Sequence, residues 1–106
     1  MDKTEALSFD EVLAIVKAYK KVIRSRYHNE PKVYLYGSYA KGKATSDSDI
    51  DVAVIVSEGE IVNKWEKWAE LWSDIRKVSV LIEPVLLEDK EDSMLYREVM
   101  RTGVAA

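Results

Sequence analysis

Leu35-Tyr36-Gly37-Ser38-Tyr39-Ala40-Lys41-Gly42-Lys43-Ala44-Thr45-Ser46-Asp47-Ser48-Asp49-Ile50-Asp51, continuing as Val52-Ala53-Val54-Ile55-Val56, decides the fold. It reads as a strand, a tight Gly-Ser turn, a polar loop rich in Gly, Lys and Ser, and a second strand that opens on two alternating carboxylates. Side chains switch faces at each step of a strand, so Asp49 and Asp51 are expected on the same side. Two carboxylates side by side repel unless a cation lies between them. A Gly-Ser turn with free backbone N–H groups suits an anion. A divalent metal beside a phosphate cradle is the chemistry of a nucleotide enzyme.

Working outward, Val33-Tyr34-Leu35-Tyr36 is β-branched and aromatic and predicts the first strand, with Pro31 closing the unit before it. Upstream, Ser8-Phe9-Asp10-Glu11 has the capping-box pattern of a helix start. Val12, Ile15, Val16, Tyr19, Val22, Ile23 and Tyr27 follow at helical spacing, with Lys17, Lys20, Lys21, Arg24 and Arg26 largely on the solvated face. His28 is the single histidine and falls at the end of this helix, where a solvated, non-catalytic role is expected.

Downstream, Ser57-Glu58-Gly59 breaks the second strand, and residues 60–77 predict a second helix with a stripe of Ile61, Trp65, Trp68, Trp72 and Ile75, and Leu71 beside it. Core packing against the sheet is the simpler reading of the three tryptophans, and a partner surface is the alternative. Residues 78–87 predict a third strand, in which Pro84 argues for an edge position or an end to regular pairing and Glu83 is a carboxylate within an apolar run. Met94, Leu95, Val99 and Met100 predict a short final helix, with residues 102–106 as a tail.

The 106 residues suit one domain spanning 1–106, and a 47% hydrophobic composition supplies a core. The absence of cysteine excludes disulfides and fits a reducing cytoplasm. Met1-Asp2-Lys3-Thr4-Glu5 lacks the pattern of a signal peptide, and no apolar run reaches the length of a membrane span. A net charge of −3 argues against a grip on long nucleic acid, whose affinity comes from neutralising phosphates.

Asp49, Asp51 and Glu83 form a candidate three-carboxylate site for magnesium, which takes few protein oxygens and leaves the rest to water and phosphate. Gly37 lets the backbone approach phosphate, Ser38 adds a hydroxyl, and Lys41 or Lys43 neutralises charge. A calcium loop at Asp47, Asp49, Asp51 and Glu58 is set aside, because Val52 occupies the position that requires glycine.

Gly37-Ser38, ten residues, then Asp49-Ile50-Asp51 resembles the signature of the DNA polymerase β-like nucleotidyltransferase superfamily. The fuller run, Gly37 to Ala44 with Ser48-Asp49-Ile50-Asp51, is similar to its minimal nucleotidyltransferase group, and the likeness extends to Leu95-Tyr96-Arg97-Glu98-Val99-Met100. The resemblance implies an α+β fold, a small mixed sheet with helices packed against it. It implies that Asp49 and Asp51 bind magnesium, two ions in all, with Glu83 as third carboxylate, and that ATP lies against Gly37, Ser38 and Lys43. Family members often carry aspartate where Glu83 stands and arginine where Lys41 stands. Small members of this group are similar to antitoxins that transfer AMP from ATP to a tyrosine hydroxyl of a partner HEPN-domain toxin. With that role, the alternative reading of the Trp65, Trp68 and Trp72 helix is the surface of a homo- or hetero-oligomer. Two other functions stay open: transfer to a small molecule such as an aminoglycoside, and an antitoxin that inhibits by binding alone.

Overall fold

A computed structural model describes residues 6–106; the reading of Met1–Glu5 lies outside them. The elements run α1 (Phe9–Ile23), a 3-10 turn (Arg24–Arg26), β1 (Lys32–Tyr36), β2 (Ile50–Val56), α2 (Lys64–Asp74), a second 3-10 turn (Ile75–Lys77), β3 (Ile82–Glu88), α3 (Met94–Thr102) and β4 (Val104–Ala105). The strands form one mixed sheet in the order β3-β2-β1-β4. β2 pairs antiparallel with β1 and parallel with β3, and β4 pairs antiparallel with β1.

The central strand explains the layering. Ile50, Val52, Val54 and Val56 turn to one face, where they pack with Val33, Leu35 and Ile82 beneath Val12, Val16, Tyr19 and Ile23 of α1 and Leu71 of α2. Ala53 and Ile55 turn to the other face and pack with Leu87 under Val99, Leu95 and Tyr96 of α3. Helices therefore cover both faces, and β2 is apolar throughout except at Asp51. α1 starts where the sequence predicts: the Ser8 hydroxyl accepts from the Glu11 N–H, and the Glu11 carboxylate accepts from the Ser8 N–H. Pro84 lies on β3, an outer strand, as a residue without a backbone N–H requires. Among the described residues no helix is long and apolar enough to cross a membrane.

Four expectations need correction. The second helix starts at Lys64 rather than residue 60, because Asn63 caps it by accepting from the Glu66 N–H. Two of its tryptophans leave the expected core stripe, while Trp72 packs against the core. Leu71 and Ile75 are buried, whereas Trp65 and Trp68 are 79% and 47% exposed. The helix is turned by polar contacts: the buried Asp74 carboxylate receives Nε and Nη2 of Arg26 at 2.6 and 2.9 Å, and Lys67 donates to the Arg26 carbonyl at 2.8 Å. Satisfying a buried charge outweighs burying one more indole, since an unpaired buried carboxylate costs several kcal/mol (about 3–5). The third strand begins at Ile82, because residues 78–81 are spent on a turn in which Ser79 accepts from Leu81 N–H. Finally, the tail is a strand: the Gly103 N–H closes α3 on the Val99 carbonyl and the chain then pairs with β1 through Tyr34 and Leu35.

Candidate functional site

Gly37 follows β1 directly and has φ of +76°, a conformation that favours glycine. A Cβ at this position would run into the carboxylate of Asp51. The turn that follows is helix-like: the Lys41 N–H donates to the Gly37 carbonyl at 3.1 Å and the Lys43 N–H to the Ser38 carbonyl at 2.9 Å. Tyr39 is buried and its hydroxyl accepts from the Leu7 N–H at 3.4 Å, which anchors the turn in the core. Further on, the Thr45 N–H donates to the Ser48 hydroxyl at 2.9 Å and the Ser48 N–H to the Thr45 carbonyl at 3.1 Å, so the loop closes just before Asp49.

Asp49 precedes β2, and Asp51 is its second residue. In the sheet register Tyr36 pairs with Asp51, and Asp51 pairs with Glu83. These three side chains thus form a row across the face that α3 covers further along. Glu83 is exposed and Asp51 half-buried. A hydrogen bond with Asp49, then desolvation and the charges of Asp49 and Asp51, holds the Glu83 pKa above the ordinary glutamate value. Burial, and then the Asp49 charge, raises that of Asp51. The Tyr36 phenol is pushed up to about 12 by burial and by Asp51 and Glu83, so it stays neutral.

The structure therefore brings together Gly37, Ser38, Asp49, Asp51 and Glu83 at one end of the sheet. Lys43 is exposed, and among the described residues it forms no ion pair. Lys41 lies 2.8 Å from Glu98 of α3. His28 is exposed, and among the described residues only its backbone N–H is engaged, donating to Glu60 at 3.1 Å. The sequence reading missed Tyr36 and Glu98. Tyr36 was visible as an alternating residue one step before Gly37, but nothing in local spacing points to Glu98.

No three His, Cys, Asp or Glu side chains among the described residues close tightly enough to cage an ion on their own. The donor chemistry nevertheless suits magnesium. Asp49, Asp51 and Glu83 offer hard carboxylate oxygens, and none of them pairs with a basic side chain among the described residues. Magnesium is commonly held by one or two carboxylates, with water and substrate phosphates completing its shell.

Residues 11–105 match the family model described as polymerase beta, nucleotidyltransferase. The chain belongs to the polymerase β nucleotidyltransferase family. The family resemblance drawn from Gly37-Ser38 and Asp49-Ile50-Asp51 is thereby shown. The chain is 36% identical over 98 residues to the protein adenylyltransferase MntA of Thermococcus cleftensis, covering 92% of this chain and 95% of that protein. A crystal structure of a Sulfolobus solfataricus protein shares the fold, with a TM-score of 0.63 at 22% identity over 95% of this chain and 87% of that one. A toxin–antitoxin complex with AMP-PNP gives a TM-score of 0.56 at 20% identity, over 93% and 72% of the two chains. The mixed four-stranded sheet with helices is thus the nucleotidyltransferase fold, and the protein is a nucleotidyltransferase enzyme.

Proposed function

We propose that this nucleotidyltransferase moves AMP from ATP to a tyrosine hydroxyl of a partner HEPN-domain toxin and so acts as its antitoxin in the cytoplasm. The observation that carries this reading is the gathering of Asp49, Asp51 and Glu83 at the sheet end that also bears the Gly37-Ser38 turn. Support for the acceptor comes from the relatives: MntA of Thermococcus cleftensis is named a protein adenylyltransferase, and a structural neighbour is an MntA–HpeT toxin–antitoxin complex.

In this mechanism Gly37, Ser38 and Lys43 receive the triphosphate, and Asp49, Asp51 and Glu83 hold magnesium. Bound magnesium supplies charge stabilisation at the reacting phosphate. The acceptor oxygen bonds to the α-phosphorus while the bond from that phosphorus to the bridging oxygen breaks, and pyrophosphate leaves with the electron pair. The hydroxyl proton passes to Glu83 or one of the aspartates. The rest of catalysis is positioning on a rigid sheet.

Incubation with ATP, magnesium and the partner, read by intact mass, tests this. A gain of one AMP on the partner, lost with Asp49→Asn, is the expected result; full transfer by Asp49→Asn overturns the assignment.

A second reading draws on the exposed Trp65 and Trp68, whose rings meet edge-on at 6.0 Å. With Val85, Leu87 and Leu95 they line a groove along β3. In that reading the chain is an antitoxin that inhibits by docking through this face. Inhibition of the toxin by Asp49→Asn without ATP would favour it.

A further inference from the structure

Lys41 ends the turn that Gly37 begins, and its two predecessors, Tyr39 and Ala40, pack into the core. Its own side chain goes to α3, the helix that covers the sheet face bearing Asp51, Ala53 and Ile55. There the Lys41 ammonium meets the Glu98 carboxylate at 2.8 Å.

Glu98 stands on a fixed platform. Its neighbour Val99 is fully buried, and Leu95 and Tyr96 of the same helix pack on Ala53, Ile55 and Leu87. The Glu98 carboxylate also accepts from Arg101 and from the Thr102 hydroxyl, the latter at 3.2 Å. Lys41, Arg101 and Thr102 together hold its pKa down to about 2, so it is anionic wherever the protein functions.

Two cations share one carboxylate here, and the trio keeps a net positive charge. An ammonium has three donors, and the Lys41 side chain remains 39% exposed. Lys41 is therefore tethered without being neutralised, with donors left to face a ligand. A free lysine would lose the freedom of a long flexible side chain on capturing phosphate, and a tethered one has already lost much of it.

We propose that Glu98 is a positioning residue for nucleotide binding: from α3 it holds the Lys41 ammonium on the carboxylate face of the sheet, ready to receive the triphosphate. This rests on the reading that the chain binds a nucleoside triphosphate, and it assigns a function to a residue outside the Gly-Ser and Asp motifs.

ATP affinity, measured calorimetrically on the full chain with magnesium, and the steady-state constants for AMP transfer test it. Glu98→Gln is expected to weaken ATP binding about 3–10-fold, with the rise in KM exceeding any fall in kcat. Lys41→Ala is expected to weaken binding at least as much. The double variant is expected to bind no more weakly than Lys41→Ala alone, because the tether has nothing left to hold. A purely structural role for Glu98 would instead weaken binding equally in both backgrounds, and that result overturns the proposal. Unchanged or tighter ATP binding by folded Glu98→Gln also overturns it. Glu98→Asp, which retains the charge but withdraws the oxygens by one methylene, gives the same comparison if the glutamine variant fails to fold. A parent chain that binds no nucleoside triphosphate overturns the nucleotide reading and the tether with it, whereas a parent that binds ATP as well as Glu98→Gln does removes the tether alone.

Discussion

Asp51 and Glu83 stand opposite each other in the parallel register of β2 and β3, on the face where Asp49 adds a third carboxyl. The pKa of each is raised from its ordinary value, that of Asp51 by burial first and that of Glu83 by its hydrogen bond with Asp49 first. A carboxyl with a raised folded pKa opposes folding once it is ionised, so its share of stability falls as pH rises through the carboxylate range. Asp51→Asn should therefore abolish AMP transfer while stabilising the chain by roughly 0.5–1 kcal/mol, or about 2–6 °C in Tm. Thermal unfolding at neutral pH, beside a transfer assay, checks this.

The same repulsion predicts a metal response. Millimolar magnesium should raise the Tm of the parent and leave that of Asp51→Asn nearly unchanged, and chelation should reverse the rise. Equal shifts in both proteins would mean that the cation stabilises from another place.

Gly37 carries a backbone and a steric demand together, with positive φ and the Asp51 carboxylate where a Cβ would go. Gly37→Ala should cost about 1–2 kcal/mol for the backbone alone, and more as Asp51 is displaced. Its activity should fall further than its stability, because the displaced group belongs to the candidate site. Denaturant unfolding and transfer rate at a temperature where the variant is folded separate the two losses.

The Arg26–Asp74 pair ties the end of α1 to α2, with Lys77 adding a contact to Asp74 at 3.2 Å. The Arg26 hydrogen bond holds the Asp74 pKa below the ordinary aspartate value. A depressed carboxyl contributes stability that is present above its unfolded pKa and lost as pH falls through the folded one. Asp74→Asn should destabilise by about 2–4 kcal/mol, at the low end of buried pairs because Arg26 is partly solvated. The deficit relative to the parent should shrink below the unfolded aspartate pKa, which unfolding curves at acid and neutral pH will show.

Two positions on α2 separate core from surface. Leu71→Ala should cost about 2–5 kcal/mol, since Leu71 is fully buried. Trp65→Ser should cost less than about 0.5 kcal/mol, since Trp65 is largely exposed. If the tryptophan face meets the toxin, Trp65→Ser should weaken association while transfer to a saturating partner survives, and co-purification with titration calorimetry will report it.

Much of this was legible because local rules carried it. The Ser8–Glu11 capping box, the strand before Gly37, the apolar run after Asp51 and the outer position enforced by Pro84 each follow from one stretch of chain. The family signature is local too, since Gly37, Ser38, Asp49 and Asp51 lie within a single loop and its flanking strands. Helical spacing misled at Trp65 and Trp68, because a periodic stripe says which residues share a side and not how far along the helix that side meets the core, which Trp72 and Ile75 do reach. Asp74 and Arg26, far apart in sequence, decided that orientation.

From its own residues the chain determined a strand–turn–strand unit, two alternating aspartates and a Gly-Ser turn before them. Those are consequences of backbone geometry over short distances. Tertiary structure decided that Glu83 pairs with Asp51, that Tyr36 stands beside them, that residues 104–105 close the sheet and that Glu98 meets Lys41. Each of these depends on the register between strands or on where a helix lands. Such placements come from the packing of the whole core, because shifting a strand by one residue would turn every side chain to the opposite face.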